Sequence, residues 1–258
     1  MRKIAVTGRG LITPLGNGLQ ANENALRKGK SGIVAMPEWK EIGLESQAAG
    51  VADENPPCPL LDIKSLRFMP PNAVMAVAAA YEALNEAGIS PQELKGKKIA
   101  VILGCAGSAH IQLYESAKIF HETKKVKRVS PFVVPKVMPS SAVANLSLTL
   151  GLTGESYDIS SACASGTHAI MISARLIEAG IYDIIITGGT EEINWPHALG
   201  FDAMRATSRK YNDRPEEASR PFDRNRDGFV IASGAGVIVL ESEKSVKERN
   251  AKPISYIT

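Results

Sequence analysis

The sequence has 258 residues, of which 44% are hydrophobic and 22% are charged, and its formal net charge is +3. This length is enough for one large domain or two small ones with a sizeable core, and the low net charge argues against nucleic-acid binding. No apolar run approaches the roughly 20 residues that span a bilayer, and MRKIAVTG lacks the apolar core of a signal peptide. The three cysteines, Cys58, Cys105 and Cys163, are odd in number and far apart. They argue against a disulfide framework or zinc cluster and favour a reducing, cytoplasmic setting.

Strand-like and helix-like segments alternate along the chain, which predicts an α/β protein whose helices cover a sheet. The segment from Ile33 to Ser65 is irregular and Pro-rich, so it is predicted to be a surface excursion. The predicted elements are a strand over 3–8, a helix capped by Asn72 that stops at Gly88, a strand over 97–104, a helix from about His110, a helix ending at Gly151, a strand over 155–160, a helix over 163–179, a strand over 183–189, two strands with a bend over 227–241, a helix over 242–250 and a strand over 253–258.

A strand followed by Gly8-x-Gly10 partly matches a dinucleotide-binding fingerprint. The position of the third glycine holds Thr13, and a partial match of this kind is a weak signal. A tight turn at the exit of the strand is therefore the favoured interpretation.

The stretch DRNRDG, from Asp223 to Gly228, matches the first half of a calcium-binding loop. Such a loop needs a bidentate glutamate at its twelfth position, which here is Gly234. The favoured interpretation is a polar turn in which Asp223, Asn225 and Asp227 accept hydrogen bonds from backbone amides.

The four histidines, His110, His121, His168 and His197, have no metal-ligand spacing. His168 follows Cys163 by five residues, which on a helix would place it about 140° around the axis. We therefore expect His168 to be a packed or hydrogen-bonded structural residue and not the base that activates the thiol.

A basic cluster lies between Lys118 and Arg128, and Lys64 and Arg67 form a second, smaller one. Either cluster could be an ordinary solvated face. The alternative is a docking surface for an acidic partner.

Cys163 lies between a predicted strand and a predicted helix, in the stretch SSACASGTHAI. A lone cysteine is often a small buried hydrophobe. At a strand-to-helix junction, however, free amides and the helix dipole stabilise a thiolate and could bind an oxyanion. Small neighbours such as Ala162 and Gly166 would let a substrate carbonyl approach. Both interpretations remain open on position alone.

The same stretch resembles the active-site segment of the β-ketoacyl-acyl carrier protein synthases. The likeness extends through AVTGRGLITPLGNG, LRFMPPNA, GFDAMRATS and YNDRPEEASRPFDRNRDGFVIASGAG, and it is closest to the type I elongating synthases. The resemblance implies a thiolase-like fold of two similar α/β halves in five layers, αβαβα. Residues 1–258 would then be the N-terminal domain, one layered αβα unit. The family's two catalytic histidines, its lysine and its phenylalanine loop belong to a C-terminal half outside this sequence.

The resemblance implies an acyltransferase of fatty acid biosynthesis that elongates acyl chains by decarboxylative Claisen condensation of acyl- and malonyl-carrier protein. An acyl-Cys163 thioester would be the intermediate, and no cofactor or metal would be needed. The implied partners are acyl carrier protein and a second subunit, either in a homodimer or as the C-terminal half. The chain alone is expected to be incomplete for catalysis.

The resemblance also assigns an acyl pocket, partly across a dimer interface, although each pocket residue could instead be ordinary core. There are two alternatives, a non-catalytic chain-length subunit and another acyltransferase of the thiolase superfamily. The presence of Cys163 argues against a non-catalytic subunit. The stretch YNDRPEEASR argues against a thiolase. The pocket residues are Ser108, Phe132, Met138, Ala162 and Phe201, and the expected carrier-docking residues are Lys64, Arg67, Lys124, Lys127 and Arg128.

Overall fold

The computed structural model describes residues 3–257, which form a central mixed sheet with helices on both faces. The α/β class predicted from the sequence is confirmed. The strands are β1 (Ile4–Thr13), β2 (Gly16–Asn17), β3 (Ile33–Ala35), β4 (Ala48–Gly50), β5 (Ala100–Gly104), β6 (Ser156–Ile159), β7 (Ile184–Glu191), β8 (Gly234–Ser242) and β9 (Ser255–Ile257). The helices are α1 (Leu19–Arg27), α2 (Pro37–Glu41), α3 (Pro71–Glu86), α4 (Pro91–Leu94), α5 (His110–Thr123), α6 (Val133–Val137), α7 (Ser141–Leu150), α8 (Ser165–Glu178), α9 (Trp195–Ala203) and α10 (Glu243–Arg249).

The main sheet has the strand order β2-β1-β8-β7-β5-β6, with β9 also paired to β1. β5 lies between β6 and β7 and is parallel to both, whereas β8 is antiparallel to β7 and β1. The chain passes from β6 through α8 to β7, on the other side of β5. The carboxyl ends of the three parallel strands therefore meet at one edge, where the order of the strands reverses and α/β proteins commonly place their ligands.

The alternation of side chains along β5 divides the core into two layers. Val101 and Leu103 pack against α3 and α7 on one face of the sheet. Ala100 and Ile102 pack against α8 on the other face. All four side chains are fully buried, at 0% exposure. This continuous apolar run is typical of a strand covered on both sides.

Gly8 and Gly10 lie inside β1, so the strand-exit turn predicted there is wrong. An added Cβ at Gly8 would lie 1.9 Å from the Ala83 carbonyl oxygen, and one at Gly10 would lie 1.9 Å from that of Ala79. Both glycines allow α3 to approach the sheet closely. They form no dinucleotide-binding turn.

Two further expectations at helix and strand boundaries are corrected. Asn72 is not an N-cap, because α3 begins at Pro71 with Pro70 as its cap and Asn72 is fully buried within the helix. The stretch 227–241 holds one strand, β8, and residues 227–233 make only isolated bridges such as Thr207 to Phe229. The last predicted strand is confirmed as β9, and Thr258 lies outside the described residues.

The segment 33–65 is not a mere surface excursion. It forms the β3–β4 pair and places Trp39, Leu44 and Ala49 in a small core together with Ile193 and Ala198. Trp39 is only 2% exposed. Sequence periodicity could not find this core, because its partners lie about 150 residues further along the chain.

No helix within residues 3–257 combines the length and the apolar character that crossing a membrane requires.

A buried ion pair joins the end of the sheet to α10. Glu241 is 0% exposed and accepts hydrogen bonds from Arg249, Ser245 and Thr7. Burial alone would raise the pKa of Glu241, but these donors together hold it below its ordinary value. Arg249 also donates to the Ala87 carbonyl at the end of α3.

Arg249→Met should therefore destabilise the protein strongly, because it leaves the Glu241 carboxylate buried without its cation. We expect a loss of about 3 kcal/mol in the free energy of unfolding, measured by urea denaturation. Arg27→Met is the matched control, since Arg27 pairs with Glu23 on the surface of α1 and should contribute less than about 0.5 kcal/mol. Equal effects of the two substitutions would contradict this account.

Candidate active site

Cys163 lies in a sharp turn between β6 and α8, with its side chain exposed. The preceding residue, Ala162, has a left-handed backbone with φ of 52°. Non-glycine residues avoid this region, and they occur there mainly where surrounding contacts hold them. The helix begins at Ser165, two residues later than Cys163, so the prediction that Cys163 opens the helix is corrected.

Side chains from the first turns of α8 hold this turn in place. The Ser165 hydroxyl accepts a hydrogen bond from the Ser161 amide and donates one to the Ala162 carbonyl, at 2.8 and 2.6 Å. His168 Nδ1 lies 2.6 Å from the Ser161 hydroxyl oxygen. His168 is thus hydrogen-bonded to the turn, as the sequence predicts. The helical angle used for that prediction does not apply, because Cys163 precedes the helix.

The first turn of α8 packs directly on the ends of two parallel strands. A Cβ at Gly104, the last residue of β5, would lie 2.2 Å from the Ser165 carbonyl carbon. A Cβ at Gly189 of β7 would lie 3.2 Å from Gly166 Cα. Glycines therefore allow the backbones to touch, and the contact fixes the height of Cys163 above the sheet.

Cys163 lies at an open cleft of about 520 Å³ at the carboxyl edge of the parallel strands. Small residues form much of its wall, and β8 and the segment before it form the opposite side. The larger lining residues include Phe201 and His197 of α9 and Glu191 at the end of β7. The exposed thiol is therefore open to solvent through this cleft.

Two consecutive carboxylates at the end of β7 hold the loop that follows β5. Glu191 accepts hydrogen bonds from the amides of Ala106 and Gly107, at 2.9 and 3.3 Å. Glu192, which is 1% exposed, accepts from the amide of Ala109 at 2.6 Å. Burial raises the pKa of Glu192 to about 7, despite the amide donors. The pair fixes the path of residues 106–109 along the rim of the cleft.

Two further titratable groups lie beside this loop. Burial, and then the charge of Glu191, raise the pKa of Asp158 on β6 to about 7. Burial and Glu191 also raise the pKa of the Cys105 thiol far above its ordinary value. Cys105 is 3% exposed, so it is an inert thiol, in contrast with the exposed Cys163.

The structure brings together only part of the predicted acyl pocket. Ala162 and Phe201 line the Cys163 cleft. Ser108 lines a neighbouring cavity of about 280 Å³ that shares Ala106 with the cleft. Phe132 and Met138 line neither space. Phe132 instead packs edge-on against Phe68, with ring centroids 4.9 Å apart, and Met138 is 37% exposed after α6.

The basic residues predicted for docking are exposed and lie on two segments. The contact between Phe68 and Phe132 brings these segments against each other, because Arg67 precedes Phe68 and the turn ending at Arg128 lies just before Phe132. None of the five basic side chains forms a salt bridge with another residue in the described range.

The polar turn predicted at Asp223–Gly228 is confirmed for Asp223 and Asp227, whereas Asn225 takes part through its backbone amide and carbonyl. Asp227 accepts hydrogen bonds from the Arg209 and Lys210 amides, both at 2.8 Å, and Asp223 accepts from the Asn225 amide at 2.7 Å. Within residues 3–257, no group of three or more His, Cys, Asp or Glu side chains is arranged to hold a metal ion.

Sequence reasoning missed Glu191, Glu192 and His197. The pair of acids directly after a buried strand was an available signal, since charged residues at a strand end often face a ligand edge. No local signal distinguishes His197, because its place in the cleft depends on how α9 packs against α5.

Solved structures similar to this one include ketosynthases. A β-ketoacyl synthase from Burkholderia phymatum is 30% identical and superposes with a TM-score of 0.91 over 100% of this chain and 63% of its own. A type II polyketide ketosynthase, solved with its acyl-carrier protein and bound to the hexaketide, is 28% identical, with a TM-score of 0.85 over 99% of this chain and 62% of its own. The fold is therefore the N-terminal unit of the thiolase-like ketosynthases.

The sequence matches agree with the fold. The profile of the family described as "Beta-ketoacyl synthase, N-terminal domain" matches residues 1–245, and the chain belongs to this family. It is 39% identical over 253 residues to 3-oxoacyl-[acyl-carrier-protein] synthase 1 of Haemophilus influenzae, and 38% identical to that of Escherichia coli K12. These matches cover 98% and 97% of this chain, which spans 62% of the length of each relative.

The raised pKa of Asp158 predicts a pH-dependent stability. Its carboxyl has an ordinary pKa of 3.8 and a folded pKa of about 7. Between these values the folded state holds a proton that the unfolded state has lost, so stability falls as pH rises through this window. Asp158→Asn should make this fall in stability shallower, by up to about 1.4 kcal/mol per pH unit.

Urea unfolding from pH 4 to pH 8 measures the effect. Asp213→Asn, at an exposed aspartate, is the control and should leave the slope unchanged. An unchanged slope in Asp158→Asn would mean that Asp158 is ionised throughout.

Proposed function

We propose that this protein accepts an acyl group on Cys163 from a carrier-protein thioester, as the first step of a β-ketoacyl-acyl carrier protein synthase reaction. The observation that carries the proposal is the exposed thiol, held by a left-handed residue at the rim of a 520 Å³ cleft. The names of the relatives, 3-oxoacyl-[acyl-carrier-protein] synthase, support both the substrate and the reaction.

In the proposed transfer, the Cys163 thiolate attacks the thioester carbonyl and forms a new carbon–sulfur bond. The backbone amide of Cys163 donates to the oxyanion that develops. The carbon–sulfur bond to phosphopantetheine then breaks, and the departing thiolate takes up a proton. The product is an acyl-enzyme, which divides one difficult reaction into two easier ones.

The second proposed step joins the acyl group to a malonyl unit. Malonyl-carrier protein loses CO₂, and the resulting enolate carbon attacks the Cys163 thioester to give a β-ketoacyl product. The enolate needs charge stabilisation. In residues 3–257, His168 is already engaged with Ser161, and His197, which lines the cleft, stacks on the ring of His110. We therefore propose that condensation requires groups from a second half of the fold.

A second subunit would also cover surfaces that this chain leaves open. Among residues 3–257, β6 is an edge strand of the sheet and pairs with β5 alone. Unpaired edges and large apolar patches are typical sites of association. We propose a homodimer or pairing with a C-terminal half. All three cysteines are free, which supports a reducing, cytoplasmic setting.

Incubation with an acyl-carrier protein thioester should acylate Cys163, which mass mapping of peptides would detect. The Cys163→Ser variant should lose the thioester adduct, whereas Cys105→Ser should retain it because Cys105 is buried. An adduct on Cys58 or Cys105 with Cys163 free would refute the assignment.

We further propose that Lys64, Arg67, Lys124, Lys127 and Arg128 form a basic patch that docks the acidic carrier protein. The Phe68–Phe132 contact supports this, because it joins the two segments that carry the charges. All five side chains are exposed, so their charges can guide encounter with an anionic partner.

Reversing two of these charges, in Arg67→Glu with Lys127→Glu, should weaken carrier-protein binding about tenfold at low salt. The loss should shrink at high salt, because screening already weakens the native interaction. Lys28→Glu with Lys30→Glu, at exposed positions outside the patch, is the matched control. Equal affinities for both double variants would leave the patch as an ordinary solvated face.

A further inference from the structure

The segment 45–52, which we call the brace, is bonded to both walls of the Cys163 cleft. One wall is α9, which contributes His197 and Phe201 to the lining of the cleft. The opposite wall includes the segment 231–233, which leads into β8. The start of the brace is attached to the first wall and its end to the second. The brace therefore connects two parts of the cleft that lie about 30 residues apart in the sequence.

The attachment to α9 is a buried carboxylate. Asp202 directly follows Phe201 and is 6% exposed. Its carboxylate accepts hydrogen bonds from the Glu45 and Ser46 amides, at 2.7 and 3.4 Å, and from the Arg209 guanidinium, at 2.8 and 3.1 Å. Burial alone would raise the pKa of Asp202, but these donors together hold it below its ordinary value. An ionised acceptor thus ties the last turn of α9 to the start of the brace.

The attachment to the opposite wall is a short ladder of hydrogen bonds. The Gly50 amide donates to the Ile231 carbonyl at 3.0 Å, and the Gly50 carbonyl accepts from the Ser233 amide at 2.9 Å. The Ala52 amide donates to the Ser233 hydroxyl oxygen at 2.9 Å. The position of the end of the brace therefore fixes the position of the segment 231–233.

A small apolar core fills the space between the two attachments. Ala49 of the brace packs in this core with Trp39 and with Ala198 of α9, and the partly buried Ile231 of the opposite wall packs against it. Trp39 is 2% exposed and Ala49 is fully buried. Closely packed side chains transmit a displacement to their neighbours. A shift of the brace would accordingly reach both walls of the cleft.

Gly50 backs directly against residues that line the cleft. An added Cβ at this position would lie 2.8 Å from the Ala232 Cβ and 3.0 Å from the Pro14 Cγ. Ala232 and Pro14 both line the Cys163 cleft, whereas Gly50 does not. The missing side chain at Gly50 therefore sets how far these two residues stand back from the cleft.

We propose that the brace sets the width of the Cys163 cleft, and that Asp202 and Gly50 are positioning residues that determine how bulky an acyl group can be next to its carbonyl. The inference rests on the proposed acyl transfer to Cys163. Removing the Asp202 carboxylate frees the α9 wall and should admit branched acyl groups more readily. A methyl group at Gly50 presses Ala232 and Pro14 toward the cleft and should exclude branched groups. The two changes act in opposite directions, whereas a general loss of stability would act in one.

The test measures the width of the cleft by alkylation of the thiol. Cys163 is alkylated with iodoacetamide and with N-tert-butyl iodoacetamide, and peptide mass mapping gives the two rates. Their ratio, bulky over small, cancels any change in ionisation of the thiol, because both reagents react with the same thiolate. Asp202→Ala should raise the ratio about fivefold and Gly50→Ala should lower it about fivefold, since small displacements near a reacting atom change rates by large factors. Unchanged ratios, or shifts in the same direction, would overturn the inference.

Two matched controls disturb the structure away from the brace. Glu241→Gln alters another buried carboxylate that is bonded to an arginine, Arg249, at the far end of β8. Gly154→Ala adds a Cβ that would lie 2.2 Å from the Ile99 carbonyl oxygen, and neither of these two residues lines the cleft. Both controls should keep the wild-type ratio. Shifts as large as those of the brace variants would mean that stability, and not the brace, sets the ratio.

Milder substitutions replace a variant that fails to fold. Asp202→Asn keeps an acceptor oxygen for the brace amides but loses the charge, so it should raise the ratio less than Asp202→Ala does. Gly32→Ala can replace Gly50→Ala, because an added Cβ at Gly32 would lie 2.8 Å from the Pro14 Cβ and would press the same wall. It should lower the ratio, and an increase would contradict the inference.

Transfer from hexanoyl and 2-methylhexanoyl pantetheine thioesters separates the two proposals. The brace variants should change the ratio of acylation rates in the same directions as the ratio of alkylation rates. If the thioesters acylate Cys163 but the variants leave both ratios unchanged, the proposed function stands and the brace inference fails. If no thioester acylates Cys163, the proposed function fails, and the alkylation ratio still decides whether the brace sets the width of the cleft.

Discussion

The site depends on how closely the first turn of α8 approaches the ends of β5 and β7. Backbone meets backbone there, because Gly104 and Gly189 leave no side chain in between. The close contact places the turn before the helix at the carboxyl edge of the sheet, and Ala162 must then adopt a left-handed conformation to connect β6 to α8. Strain of this kind persists only where its surroundings determine it. Here Ser165 and His168 supply the bonds that hold it.

At the rim of the cleft, buried carboxylates hold a loop in place. Glu191 and Glu192 accept hydrogen bonds from the backbone amides of Ala106, Gly107 and Ala109. A loop fixed by side chains keeps its shape only while those side chains keep their hydrogen bonds. The path of this loop along the rim therefore depends on the hydrogen bonds of two acids that lie beneath it.

Much of the fold could be predicted from the sequence because its signals are local. The apolar run of β5 and the left-handed glycine after α7, Gly151, both appear where the pattern indicates. Predictions were wrong where distant contacts decide the structure. Gly8 and Gly10 resemble a turn, but they are in a strand because α3 covers them. Asn72 resembles a cap, but it is drawn into the core beside the Thr190 hydroxyl.

In the candidate site, too, features set by local sequence could be predicted and features set by distant contacts could not. The position of Cys163 between a strand and a helix could be predicted from the residues around it, and the family resemblance singled it out. The cleft and the neighbouring cavity could not be predicted, since they depend on the packing of α5 against α9. Ser108 and Phe201 accordingly line different cavities. Phe132 has a partner, Phe68, that no spacing in the sequence relates to it.

The buried acids also give the folding reaction a calorimetric signature. Asp158 and Glu192 both have a folded pKa of about 7, against ordinary values of 3.8 and 4.5. Near pH 6 the chain consequently takes up roughly one to two protons from the buffer when it folds, and it releases them when it unfolds. The heat of unfolding then includes the ionisation heat of the buffer. The apparent enthalpy would differ between buffers whose protonation heats differ, even at identical pH and stability.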